Sequence, residues 1–256
     1  MEFGYIFAGF LVGLLVGLTG VGGGSLMTPI LVLLFHIKPA FAVGTDLLYA
    51  SVTKSVGIFA HGKLGNIDWK LVRLLAYGSL PASVLTTLYL RHLNIASDAA
   101  VSNIKFWLGI ALIVTSFSVL FRNQLAAFSK REHLINAQWT PYLTIALGLV
   151  LGFLVTLTSV GAGALGVTAL LIIYPKREIT TIVGSDVAHA VPLTLLAGLG
   201  HASLGTVDYR LVGILLIGSI PGIWIGSHLS AKIAEHWVRI ALALILIFVG
   251  FKLIFH

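Results

Sequence analysis

Two aspartates, one lysine and three histidines stand in stretches of sequence that are otherwise apolar: Asp46, Lys54 and His61 in one, Asp186, His189 and His201 in another. Asp46 and Asp186 lie one to two turns into these stretches. An ionised carboxylate there costs about 2.5–3.5 kcal/mol even on the gentlest scale, so function is the default reading. They can take up a proton, hydrogen-bond backbone N–H groups, or stabilise the positive end of a helix. Lys54 follows Asp46 by eight residues, two turns along and on nearly the same face, with Ser51, Thr53 and Ser55 beside it. An ammonium held there attracts an anionic substrate or neutralises a carboxylate; its counterpart in the second stretch is Thr194. His61, His189 and His201 could serve coupling or gating as proton relays, and His61 and His201 equally fit the capping of a helix end. Two histidines and an aspartate along one helix are a sparse ligand set, so no metal is expected. With no cysteine, thiolate ligands, disulfides and cysteine nucleophiles are excluded. The chain also lacks an HExxH pair, a supported Ser/His/Asp set and a GxxxxGK loop, so neither enzymatic activity nor a cofactor is expected.

Two glycine-rich breaks, TGVGGGS (Thr19 to Ser25) and TSVGAGA (Thr158 to Ala164), interrupt apolar segments at 3–35 and 141–174. A helix beginning after Gly24, and another after Gly163, would each present unpaired N–H groups and the positive end of its dipole, which suits an anion. Gly22, Gly23, Gly24, Gly161 and Gly163 let the backbone approach a ligand, while Thr19, Ser25, Thr158 and Ser159 add hydroxyls. Thr45, Ser185 and Thr194 complete the expected substrate contacts beside Asp46, Lys54 and Asp186. Helix packing through small residues would also cluster glycines. The recurrence of the break, and segments too long for one span and short for two, favour a binding site.

The elements that must carry these residues are membrane helices. Of the 256 residues, 58% are hydrophobic and 10% charged, with a mean hydropathy of +1.02; a chain so composed belongs in a bilayer. Apolar runs of spanning length occur at about 41–60, 70–90, 104–121, 181–200, 209–228 and 237–255. No basic residue precedes the first run and no small-residue cleavage site follows it, so that segment is expected to stay. The net charge of +7 is scattered in short loops, which points to lipid anchoring and orientation rather than nucleic acid. Asp68 and Asp208 precede Trp69 and Tyr209 as N-caps. The motifs Gly78-Ser79-Leu80-Pro81 and Gly218-Ser219-Ile220-Pro221 fall mid-span, where Pro81 and Pro221 predict kinks that could act as hinges.

The chain is written twice. Shifted by 140 residues, 43–81 matches 183–221 with 14 of 39 positions identical, and shifted by 139 the two glycine-rich breaks align. The repeats are 1–121 and 139–256, joined by a polar linker at 122–138. If each broken segment is a hairpin, a half crosses an odd number of times and the repeats are inverted. Under that topology ten Lys and Arg fall on one side and five on the other, with Lys54 inside; the parallel alternative gives eight against seven. The basic side is cytoplasmic, so both termini are expected on the other. The expected fold is all-α and polytopic: two inverted repeats, each a Gly-broken hairpin plus three transmembrane helices.

Two apolar halves, each with a TGVGGG-type break, then GTD or GSD, a histidine, G-x-x-D-[WY] and GS-[LI]-P, resemble the sulfite exporter TauE/SafE family over nearly the whole chain. The second copy departs from the pattern with Ala162 and Ala164 in place of Gly23 and Ser25. The resemblance implies export of small sulfur oxyanions, such as sulfite or organosulfonates, across a prokaryotic cytoplasmic (inner) membrane. A proton-linked or divalent-cation carrier using the intramembrane Asp and His residues is the alternative.

Overall fold

The computed structural model describes residues 2–19, 24–63, 67–93, 98–132, 136, 138–229 and 235–255. Among the described residues ten helices follow one another: α1 Glu2–Thr19, α2 Gly24–Leu33, α3 Pro39–Lys63, α4 Trp69–His92, α5 Asp98–Glu132, α6 Thr140–Thr158, α7 Ala164–Ile173, α8 Ile179–Ser203, α9 Tyr209–Leu229 and α10 Glu235–Phe255. Among the described residues there is no strand, and five segments combine the length and hydropathy of a membrane span: Trp69–His92, Val101–Arg122, Thr140–Thr158, Ile179–Ser203 and Tyr209–Leu229. The chain is an all-α polytopic membrane protein. Its outer surface exposes Phe3, Phe7, Tyr77, Trp224 and Phe248, a lipid-facing shell that water would not tolerate. The stretch read as a polar linker begins as helix, since α5 continues to Glu132.

Each glycine-broken segment folds back on itself. α1 has 18 residues and α2 only 10, about 27 Å against about 15 Å. The return is marked by Phe35, just past α2, whose ring centroid lies 4.4 Å from that of Tyr5 near the start of α1. α6 and α7, with 19 and 10 residues, close in the same way: Tyr174 OH, just past α7, is 2.8 Å from Thr144 Oγ1 near the start of α6. The turn between α6 and α7 needs left-handed backbone at Ser159, Gly161 (φ 128°) and Gly163 (φ 113°). Ala162 and Ala164, where the second copy departs from the glycine pattern, avoid that region. The glycines kept are the ones the backbone requires.

Helix direction follows from register. Gly9, Gly13 and Gly17 of α1 lie against the backbone at Leu215, Ser219 and Ile223 of α9, so these helices run the same way. Gly148 and Gly152 of α6 lie against Leu75 and Ser79 of α4 in the same sense. α3 and α8 are antiparallel, with Gly44 against His201 and Gly198 against Leu48; so are α5 and α10, with Gly109 against Ile254 and Gly250 against Ile113. The main partner of α1, α3, α4 and α5 therefore lies in the other repeat. At Gly13, Gly78, Gly148 and Gly218 a side chain would strike the facing backbone, the close approach that small residues allow between helices in lipid. This accounts for half of the GS-[LI]-P motif. α4 and α9 each run as one helix through their proline, and Pro81 and Pro221 stand on the exposed face.

The loops carry the expected caps. Asp68 Oδ1 accepts from the backbone N–H groups of Lys70 and Leu71 at 3.0 and 3.3 Å, and Asp208 Oδ1 from that of Leu211 at 3.0 Å. The two loops also exchange contacts across the repeats. The Asp208 N–H donates to Thr45 Oγ1 at 3.1 Å, and the Asp68 N–H to Ser185 Oγ at 2.8 Å. Thr45 and Ser185 are repeat mates, as are Asp68 and Asp208, so these bonds form a symmetric pair.

Candidate functional site

α3 and α8 cross the centre of the bundle and bring Asp46 and Asp186, both fully buried, to the starts of the two short helices. Near the start of α2, Thr28 donates to Asp46 Oδ2 twice, from its N–H at 3.1 Å and from its hydroxyl at 2.5 Å. Asp46 Oδ1 has no partner; the Ser159 hydroxyl faces the carboxylate from the α6–α7 turn without completing a bond. At the other short helix Asp186 Oδ1 rests against Gly166, where any side chain would collide with it, and the Gly163 N–H faces the same carboxylate. Neither oxygen of Asp186 has a hydrogen-bond partner. The first turn of α7 and the second turn of α2 thus each meet a carboxylate of the protein itself.

Lys54, two turns beyond Asp46, is 5% exposed. It faces Asp186 and Asp46 and donates from Nζ to the carbonyl of Ala162 at 3.4 Å, a long bond to the α6–α7 turn. Two further groups close the site. His189 Nε2 is 2.7 Å from Ser79 Oγ on α4, while its Nδ1 has no partner. Its repeat mate Tyr49 turns toward Ser219 on α9, the repeat mate of Ser79, and leaves its hydroxyl unsatisfied. Buried polar atoms are almost always paired. Here Asp46 Oδ1, Tyr49 OH, Ser159 Oγ, both Asp186 oxygens and His189 Nδ1 are all without a partner in one region. Such a region can take up a small charged or polar solute, water or protons.

The structure sorts the residues singled out in the sequence. It brings Asp46, Lys54, Ser159, Gly163, Asp186 and His189 together. Thr45 and Ser185 spend their hydroxyls on the inter-repeat bonds described above. Thr158 is tied to the Leu154 carbonyl and the Val160 N–H, and Thr194 to the Ala190 and Val191 carbonyls. Gly161 serves the turn and Gly24 opens α2. His201 is satisfied at both nitrogens, donating from Nε2 to the Thr156 carbonyl and lying with Nδ1 against Thr206 Oγ1, each at 2.9 Å. Pro81 and Pro221 stand on the exposed surface rather than in the buried cluster. Gly22 and Gly23 lie outside the described residues, as do the side chains of Thr19, Ser25 and His61. Among the described residues no three His, Asp or Glu side chains are grouped to hold a metal ion.

Sequence reasoning missed Thr28, Tyr49, Ser79, Ser219 and Gly166. A signal existed for three of these, Tyr49, Ser79 and Ser219: positions 49 and 189, and 79 and 219, are polar in both copies at the 140-residue shift.

Two surface pockets sit at opposite ends of the bundle, each where helices of both repeats begin. One, of about 720 Å³, is lined by Asp68, Lys70, Tyr174, Lys176 and Arg177; Arg177 pairs with Asp68 at 3.0 Å. The other, of about 510 Å³, is lined by Glu2, Tyr5, Lys38, Asp208 and Arg210, with Arg210 paired to Glu2.

The family model for the sulfite exporter TauE/SafE matches residues 5–253. The chain is 41% identical to the probable membrane transporter protein YjnA of Bacillus subtilis, across 99% of this chain and 100% of the relative. It is 31% identical to the probable membrane transporter protein MJ0441 of Methanocaldococcus jannaschii, across 94% and 91% of the two chains, and 26% identical to YdhB of Bacillus subtilis, across 96% and 97%. No solved structure matches. Matched end to end by proteins named as probable membrane transporters, and by the family model over residues 5–253, the chain belongs to the sulfite exporter TauE/SafE family.

Proposed function

We propose that this protein is a secondary transporter that exports small sulfur-containing oxyanions, such as sulfite or organosulfonates, across a prokaryotic cytoplasmic membrane. The observation that carries the reading is the convergence of α2 and α7 on one buried region that holds Lys54 and several unpartnered polar atoms. A helix start offers N–H donors and positive potential to an anion. Lys54 is the one buried ammonium among the described residues, placed where it serves both helix starts. An anion leaving a negatively polarised cytoplasm gains about 2.3 kcal/mol per charge per 100 mV, so the membrane potential itself can drive export.

An inverted arrangement of the repeats is supported by helix direction. α6, the mate of α1, runs with α4, which lies three reversals of the chain from α1; and α3 runs against its mate α8. With the basic side placed in the cytoplasm, both termini face away from it.

A second reading rests on the carboxylates. Three of their four oxygens have no partner, and unpartnered acceptors suit a proton or cation better than an anion. The test is solid-supported-membrane current from the reconstituted protein after jumps of sulfite, sulfate, sulfoacetate or thiosulfate, and separately of divalent metals, with Lys54→Met as control. Oxyanion currents that vanish in the variant are expected. Currents from metals alone would replace the anion reading with the cation one.

A further inference from the structure

The N-terminal halves of α2 and α7 are not vacant: Asp46 receives two bonds from Thr28 in the second turn of α2, and Asp186 lies against Gly166 in the first turn of α7 with the Gly163 N–H facing it. An anionic substrate drawn to those helix starts must therefore displace, or share them with, a carboxylate of the protein. The charges facing the region can be counted element by element. α3 contributes Asp46, Tyr49 and Lys54, and α8 contributes Asp186 and His189. α2, α4, α9 and the α6–α7 turn contribute hydroxyls from Thr28, Ser79, Ser219 and Ser159. Among the described residues, with both acids and the lysine ionised, the sum is one negative charge, held by groups that are 0–5% exposed. Adding an anion doubles or triples that charge in a place water does not screen.

We propose that anion binding at this site is coupled to proton uptake by the Asp46 and Asp186 carboxylates, so that the protein carries the oxyanion together with a proton. Each carboxylate is the built-in occupant of one helix start. Protonation weakens the hold of Asp46 on the Thr28 N–H and removes the Asp186 charge from the start of α7, leaving both for the substrate oxygens, and Lys54 balances the acid that remains ionised. The three unpartnered carboxylate oxygens are the places a proton can sit. Because the acids are repeat mates on α3 and α8, the site has two acceptors, one from each repeat. The proposal rests on the anion reading above and adds the coupling ion to it.

The test counts protons. Purified full-length protein is titrated with sulfate and with methanesulfonate, whose own charge is constant near neutral pH, and with sulfite, by calorimetry in two buffers of different ionisation enthalpy. The wild type should take up about one proton per anion bound, and anion affinity should rise as pH falls. Asp46→Asn and Asp186→Asn together should abolish the proton uptake and leave affinity independent of pH. Each single variant, with thermal unfolding as a check on folding, should lower the uptake. Binding of an anion with no proton exchanged in the wild type overturns the coupling and leaves the anion reading intact. Absence of binding by any of the three anions, with the protein folded, overturns the anion reading and the coupling with it.

Discussion

His201 shows how a residue type misleads when its partners are unknown. An imidazole at the end of an apolar span invites a proton-relay reading, yet both nitrogens are engaged at 2.9 Å, one by the Thr156 carbonyl on α6 and one by Thr206 in the next loop. It fastens the end of α8 to the hairpin that bears the α6–α7 turn. His201→Leu leaves that carbonyl buried without a donor, at a cost of about 1–3 kcal/mol. The expected outcome is a lower unfolding temperature in detergent with unchanged ion selectivity; a stable variant with no transport would make His201 a coupling residue after all. Thr28 belongs to the same scale. Thr28→Val removes the 2.5 Å hydroxyl bond to Asp46 and keeps the 3.1 Å backbone bond. Loss of a hydrogen bond to a charged group costs about 1.5–3 kcal/mol, measurable by the same unfolding experiment, and Thr28→Ser should restore most of it. Asp46, Lys54 and Asp186 were legible because charge within an apolar run has few innocent explanations. Thr28, Ser79 and Ser219 were not, because a hydroxyl in a helix is usually satisfied by its own backbone, and only the fold shows which carboxylate, imidazole or phenol it faces.

At the scale of elements, spans of nearly every helix could be read from hydropathy, and the two short helices from the glycine breaks. What the glycines do could not. Gly78 and Gly218 belong to motifs that read as proline kinks, but they are the points where α4 meets α6 and α9 meets α1, backbone to backbone. That pairing joins residues of different repeats, and no local pattern encodes it. The consequence is a graded series. Gly13→Leu and Gly148→Leu push a side chain into the main chain of the facing helix, which has no rotamer to yield, so overpacking of about 3 kcal/mol or more is expected. A side chain at Gly213, on the exposed face of α9, would meet nothing within 4 Å, so Gly213→Leu should leave folding unchanged. Size-exclusion profiles and unfolding temperatures of the three variants decide the matter; equal tolerance at all three positions would mean that the helices are not held at glycine distance.

At the scale of the molecule, the two hairpins, the paired loop bonds and the two pockets are related by the same 139- or 140-residue shift. The pocket with Lys70, Lys176 and Arg177 balances these bases with Asp68 alone, whereas the one with Lys38 and Arg210 holds Glu2 and Asp208 as well. The excess of positive charge at one end is what the positive-inside rule requires of the cytoplasmic face. If that end is cytoplasmic, as proposed, an exporter has a basic mouth where the anion enters. Topology can be tested cleanly because the chain has no cysteine. Lys38 and Lys176 are both exposed, one beyond each hairpin. If the repeats are inverted, Lys38→Cys reacts with a membrane-impermeant maleimide in intact cells and Lys176→Cys reacts only after the membrane is opened. If the repeats are parallel, the two cysteines lie on the same side and behave alike. The reverse of the expected pattern, with Lys176→Cys labelled from outside, would keep the inversion and turn the molecule over. The basic pocket would then face away from the cytoplasm, and uptake rather than export would be the direction its charge favours.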